Sequence, residues 1–192
     1  MSNELFPVFI RMEKQQLLIV GAGEVGFEKV GFMFRHCTNA NLTIVAPYIN
    51  PEILKLKDQY PDQFTIYQRE FIPTDFEGKD LAIAATADKE LNKHVWEVAK
   101  QYGVLINVAD TPDLCDFYLS SVVKKGDLKV AISSNGKSPT LTKRMRELLT
   151  DVLPEEVDEL LQNLSTIRDQ MKGDFEEKVI KLNEITKSLT KN

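Results

Sequence analysis

The sequence predicts an α/β fold: a parallel sheet with crossover helices, followed by a small α+β segment and a helical C-terminal tail. Three observations lead there. Apolar, β-branched runs alternate with helix-period segments through the first half of the chain, as a parallel sheet requires. A glycine-spaced turn, Gly21-Ala22-Gly23-Glu24-Val25-Gly26, stands between the first apolar run and the first helix-period segment. After Pro112 the alternation stops, and a hairpin pattern and then amphipathic stretches take over.

The apolar runs predict strands over residues 16–20, 42–46, 64–68, 81–85 and 105–109. The most legible helix follows Asp88, an N-cap residue type. Leu91, Val95, Val98, Ala99 and Tyr102 share one face of it, and Gly103 supplies the stop. Farther on, two strands join at Lys125-Gly126-Asp127, and Ser138 with Pro139 opens another helix. Two more amphipathic helices follow Pro154, separated near Gly173-Asp174. Their apolar positions Val157, Leu160, Leu161, Leu164, Ile167 and Met171 need a partner surface. A hairpin and three helices are too little to bury all these faces alone, so the second half is expected to build a homodimer. The division expected is a Rossmann-type domain over 1–112, a dimerisation segment over 113–153 and a helical C-terminal domain over 154–192.

Composition excludes several function classes. The 192 residues are 43% hydrophobic and carry a formal charge of −5, which gives no support for a nucleic-acid binder. Cys37 and Cys115 are far apart and form no CxxC pattern, so neither a disulfide framework nor a cysteine-built metal site is indicated, and no metal ligands are assigned. The N-terminal stretch has charges scattered among its apolar residues, unlike a signal peptide, and no segment approaches the roughly 20 apolar residues that cross a bilayer. A cytoplasmic protein without membrane contact is expected.

The glycine turn has the G-x-G-x-x-G spacing of dinucleotide sites. Gly21 permits the tight turn, Gly23 lets the backbone approach a pyrophosphate, and Gly26 allows the helix to pack closely on the strand. The N–H groups and dipole at the start of that helix then favour phosphates. The acidic residue often found about 20 positions later, on the ribose, is missing: the second strand ends in Val45-Ala46-Pro47-Tyr48. No Arg or Lys stands there for a 2′-phosphate, so the sequence leans to NAD over NADP, with Asp75 or Glu70 as acids that can intrude from elsewhere.

Ligands of open α/β sheets bind beyond the carboxyl ends of the strands. After the fourth strand Thr86 is placed to hydrogen-bond the cofactor, and after the fifth Asp110 falls on the nicotinamide side, where a carboxylate can act as general base or position a reacting proton. Its alternative role is a turn residue or helix cap. Asp113 and Asp116 read as turn and solvent residues. Ser133, Ser134, Asn135, Gly136 and Ser138 form a donor-rich loop. With Lys137, Lys143, Arg144 and Arg146 they make a basic patch suited to a polycarboxylate or phosphate ligand, the alternative being a solvated helix face.

The blocks "LFPVFIRMEKQQLLIVGAGEVGFEKV", "IAATADKELN", "INVADTPDLCDF" and "VAISSNGKSPTLTKRMRE", in this order, resemble the precorrin-2 dehydrogenase family, the siroheme synthase N-terminal module. The resemblance runs from Leu5 to about Leu153. It implies NAD-dependent oxidation of the tetrapyrrole precorrin-2 to sirohydrochlorin, with Asp110 as the catalytic residue. It also implies cofactor contacts at Glu24, Val25, Pro47 and Tyr48, through backbone groups. Ser134 matches a serine that carries a regulatory phosphate in some members. Precorrin-2 bears eight carboxylates, which makes Ser134, Asn135, Lys137, Ser138, Lys143, Arg144 and Arg146 the substrate-binding candidates.

Two rival readings remain. Some members also insert ferrous iron into sirohydrochlorin, so Fe2+ is a possible second substrate and Asp110 a proton acceptor for that step. His36 and His94 read as structural or exposed rather than as ligands. A rival of another class is a dimeric module that senses NAD without catalysis, for which pairing Asp110 with the basic loop is unnecessary.

Overall fold

The structure, a computed structural model, describes residues 3–171 and 173–187. Residues Gln16–Ala22 form strand β1, buried from Leu17 onward on both faces. A strand without a polar face needs cover on both sides. It therefore lies at the centre of a five-stranded parallel sheet with β2 (Asn41–Ile49), β3 (Phe64–Tyr67), β4 (Leu81–Ala84) and β5 (Leu105–Val108), in the order β3-β2-β1-β4-β5. This is the Rossmann-like arrangement the alternation predicts.

Helices α1 (Glu24–His36) and α2 (Pro51–Gln59) pack on the face carrying Leu17, Ile19, Leu42, Ile44 and Ile83. Helix α3 (Lys89–Tyr102) covers the other face, over Leu18, Val20, Ala82, Ala84 and Ile106. Full burial of one such Leu or Ile stabilises the fold by about 1.5–3 kcal/mol. The connection from β3 to β4 has no α-helix. A 3-10 turn, Pro73–Phe76, drops the Phe76 ring into the α3 side of the core, where only 1% of it is exposed.

Local signals behave as read. The Asp88 side chain accepts from the Glu90 and Leu91 amides at the start of α3, and Gly103 ends the helix in the left-handed conformation, φ 68°. The first two strands run past their apolar segments. Ala22 pairs with Ile49 after an irregularity, and the Asn50 amide donates to the Ala22 carbonyl at 2.9 Å, so the glycine turn itself is held in the sheet.

Chain contacts separate two units, Met1–Leu119 and Ser120–Asn192, where the sequence suggested three parts. In the second unit β6 (Ser121–Lys125) and β7 (Leu128–Ile132) pair antiparallel across the two-residue turn Gly126-Asp127. Gly126 has φ 54°, the positive value such a turn requires. Helix α4 (Pro139–Val152) packs on this hairpin, and α5 (Val157–Gln170) and α6 (Phe175–Thr186) follow. The Asp127 amide donates to the Asp158 carboxylate at 2.8 Å and Lys125 pairs with Glu155, which ties the hairpin turn to the start of α5. Among the described residues no helix is long and apolar enough to cross a membrane.

Candidate functional site

The three glycines of the turn meet different surroundings. A side chain on Gly21, at φ 100°, would place its Cβ 2.5 Å from the Ala85 carbonyl oxygen and 2.8 Å from the Thr86 amide nitrogen. The ends of β1 and β4 therefore touch through Gly21, at the point where the strand order reverses and an open sheet forms its crevice. A Cβ on Gly26 would lie 2.2 Å from the Gly21 carbonyl oxygen, so α1 sits directly on the turn. Gly23 is the opposite case, with nothing within 4 Å of its Cβ position. It is also the N-cap of α1, and no side chain caps that end. Open space in front of uncapped helix N–H groups is what a dinucleotide's diphosphate needs, so the residues present fit such a cofactor. Val25 is half-buried in the first turn of α1, beside the exposed Glu24.

At the end of β2, Pro47 and Tyr48 are exposed and Asn50 is buried. Asn50 was not singled out from the sequence, yet it organises this edge. Its Nδ2 donates to Glu24 Oε1 at 2.9 Å, and its Oδ1 accepts from the Glu52 amide at 2.9 Å, capping α2. An Asn directly before Pro51 and Glu52 is a cap signature that shows half of this role.

Asp75, considered as an acid for the ribose, is committed elsewhere. Both its oxygens take the Arg69 guanidinium, at 2.9 and 2.5 Å, and Oδ2 also accepts from the Ile72 amide. Burial pushes the Asp75 carboxyl up, but the hydrogen bonds from Arg69 and Ile72 and the charges of Arg69 and Lys79 outweigh it, leaving the pKa below the ordinary value. Arg69 follows β3 beside the end of β2, where Gln68 Nε2 donates to the Pro47 carbonyl at 3.3 Å. Glu70 is exposed and offers its backbone carbonyl to Arg69.

Thr86 stands beside Gly21, and its hydroxyl is engaged in the turn into α3. It donates toward the Asp88 carbonyl and Asn92 Oδ1, at 2.9 and 2.8 Å, while Asn92 Nδ2 returns a bond to the Thr86 carbonyl. The side chain builds the crevice wall.

Asp110 follows β5 at φ 56°, in the left-handed region that few non-glycine residues adopt. Its carboxylate is exposed, and among the described residues nothing pairs with it. Asp116, read as a turn or solvent residue, is exposed but also bonded. Its Oδ2 accepts from the Ile106 amide at 2.9 Å and its other oxygen pairs with Lys100, a role set by an edge strand that the local sequence does not announce.

In the second unit Ser134 Oγ accepts from the Ser138 amide at 3.0 Å, and Ser138 Oγ caps α4 through the Leu141 amide at 3.2 Å. Asn135 and Gly136 have φ 53° and 73°, and they turn the chain between the two serines. Lys137, Lys143, Arg144 and Arg146 are exposed, and Arg144 pairs with Glu147 at 2.7 Å. His36 lies tilted against Phe32 and His94 meets the edge of Phe71. Among the described residues no group of three or more His, Cys, Asp or Glu is placed to hold a metal ion.

The fold and the glycine crevice define a nucleotide-binding α/β protein, and the chain belongs to the family described as putative NAD(P)-binding, whose model matches residues 8–121. A second family model, sirohaem biosynthesis protein central, matches residues 125–151. The chain is 34% identical over 169 residues to siroheme synthase 2 of Aeromonas hydrophila subsp. hydrophila, covering 88% of this chain and 35% of that protein. It is 35% identical over 168 residues to siroheme synthase of Psychrobacter sp., covering 88% and 34%. The chain thus spans about a third of the length of these relatives. Among solved structures it resembles SirC, precorrin-2 dehydrogenase, with a TM-score of 0.71 and 23% identity over 94% of this chain and 89% of that one, a likeness of fold.

Proposed function

We propose that the protein is an NAD-dependent dehydrogenase that oxidises precorrin-2 to sirohydrochlorin in the cytoplasm. The observation that carries the reading is Asp110: an exposed carboxylate, unpaired among the described residues and held at φ 56°, at the same carboxyl edge of the sheet as the open Gly23 turn. The names of the relatives and of the structural neighbour supply the substrate class.

The oxidation removes a hydride and a proton from the macrocycle. Bound NAD supplies the hydride acceptor. The backbone of Gly23, Glu24 and Val25 would hold its diphosphate, and Pro47 and Tyr48 would contact it from beyond β2. Gly21 and Gly26 keep that wall closed by packing, and Thr86 fixes the turn beside it. An unpaired carboxylate accepts a proton without first breaking an ion pair, and Asp110 takes this role or orients the ring nitrogen that loses it. Lys137, Lys143, Arg144 and Arg146 meet the substrate's carboxylates, with Ser134, Asn135 and Ser138 as hydrogen-bonding groups. Leu141, Met145, Leu148 and Val152 form an exposed apolar stripe on α4, and a second copy of the chain covers it in a homodimer.

The test is anaerobic absorbance with precorrin-2 and NAD, comparing wild type with Asp110→Ala. Sirohydrochlorin and NADH appear with wild type and are lost in the variant; an inactive but well-folded, NAD-binding wild type sinks the reading and favours the sensing module. Insertion of Fe2+ is a second reading on the same free carboxylate, which can also accept pyrrole protons. Adding ferrous iron after oxidation and comparing the rate with an enzyme-free control decides it.

A further inference from the structure

We infer that residues 115–117 form a strap along the outer edge of β5 that positions Asp110, with Asn107, Cys115 and Asp116 as the positioning residues. The inference rests on the proposed catalytic role of Asp110.

Strand β5 ends the sheet. Its inner side pairs with β4, which leaves the outward amides and carbonyls of Ile106 and Val108 without a strand partner. The strap supplies those partners. The Ile106 amide donates to Asp116 Oδ2 at 2.9 Å, and the Asp116 amide returns a bond to the Ile106 carbonyl at 2.8 Å. The Val108 amide donates to Cys115 Sγ at 3.2 Å. The thiol sits within 3.2 Å of the Val108 carbonyl and 3.4 Å of the Thr111 carbonyl as a donor. Buried Asn107 donates through Nδ2 to the Phe117 carbonyl at 2.8 Å and toward Cys115 Sγ at 3.4 Å. Burial pushes the Cys115 thiol pKa up, so the sulfur keeps the proton it donates.

Both feet of the loop 109–114 are thereby fixed: one is the end of β5, the other Cys115. Asp110 stands between them. Thr111 closes the turn on Val108, its amide 3.2 Å from that carbonyl. A left-handed non-glycine residue persists only where the surroundings over-determine it. Here the surroundings are the strap and the turn that Thr111 closes on Val108, because among the described residues no side-chain bond holds Asp110 itself. Without the strap Asp110 relaxes to negative φ, and its carboxylate leaves the position it holds at the sheet edge.

The experiment measures NAD-dependent precorrin-2 oxidation and amide hydrogen exchange in the full chain. Cys115→Ala and the apolar, cavity-filling Cys115→Val are each expected to lower kcat at least tenfold with KM for NAD unchanged, and Cys115→Ser, which keeps a donor, to recover most of it. Exchange at the Ile106 and Val108 amides rises in the first two variants. In an Asp110→Ala background the residual turnover is unchanged by Cys115→Ala, because the thiol acts through the carboxylate. Wild-type kcat in Cys115→Ala and Cys115→Val beside an inactive Asp110→Ala overturns the strap alone. Equal losses from Cys115→Ala with and without Asp110 also overturn it, as a general structural effect. Full turnover in Asp110→Ala overturns the catalytic reading and the strap with it.

Discussion

Asn50 and Glu24 are joined across the carboxyl edge of the sheet, the Asn50 amide group donating to the Glu24 carboxylate at 2.9 Å while its carbonyl oxygen caps the next helix. One buried side chain thus couples the first turn of α1 to the start of α2. Asn50→Ala is expected to cost about 0.5–2 kcal/mol of stability through the lost cap and to weaken NAD binding, read by urea denaturation and fluorescence titration. Asn50→Asp separates the two roles. It keeps a capping oxygen but sets a carboxylate against Glu24, so its deficit relative to wild type shrinks as pH falls through the carboxylate range.

The glycine turn makes a contrast that single substitutions can read. Gly23→Ala meets nothing in the protein and is expected to leave the melting temperature nearly unchanged while lowering NAD affinity. Gly21→Ala and Gly26→Ala place a methyl group 2.5 and 2.2 Å from backbone oxygens and are expected to destabilise the fold itself, by about 1–3 kcal/mol or more. Thermal melts with and without NAD distinguish the two outcomes. Equal destabilisation by all three contradicts this division of labour.

Asp75 gives a pH dependence. Its folded pKa is held below the unfolded value of about 3.9, so its contribution to stability is fully present above that value. It is lost as pH falls through the lower folded value. Asp75→Asn is expected to be less stable than wild type at neutral pH and to lose less on acidification below about pH 4. Melting temperatures across this interval check the sign.

The basic residues of the second unit carry a prediction about salt. Lys143→Ala and Arg146→Ala are each expected to raise KM for precorrin-2 by roughly tenfold at low ionic strength, with NAD affinity unchanged. Added salt narrows the difference from wild type, because both side chains are exposed. Steady-state kinetics at two ionic strengths test this.

Much of the protein was legible in the sequence because the signals are local. The apolar runs mark β1 to β5, Asp88 and Gly103 bracket α3, Gly126 marks the hairpin, and the glycine spacing marks the crevice. Each depends on backbone conformation or side-chain period within a few residues. The site's supports lie beyond that range. Asn50 reaches Glu24 across 26 positions, Lys100 meets Asp116 across 16, and Asp116 closes on Ile106 across 10. Asp75, a candidate acid for the ribose by sequence, is taken up by Arg69 because the β3–β4 connection, which has no α-helix, folds back on itself. By itself the sequence determined the order of the elements and the glycine turn at the end of β1, since these follow from chain stiffness and burial period. Only the tertiary structure decided which carboxylates are tied and that Asp110 has no partner among the described residues, because pairing in space depends on which strand ends and edges the packed sheet brings together.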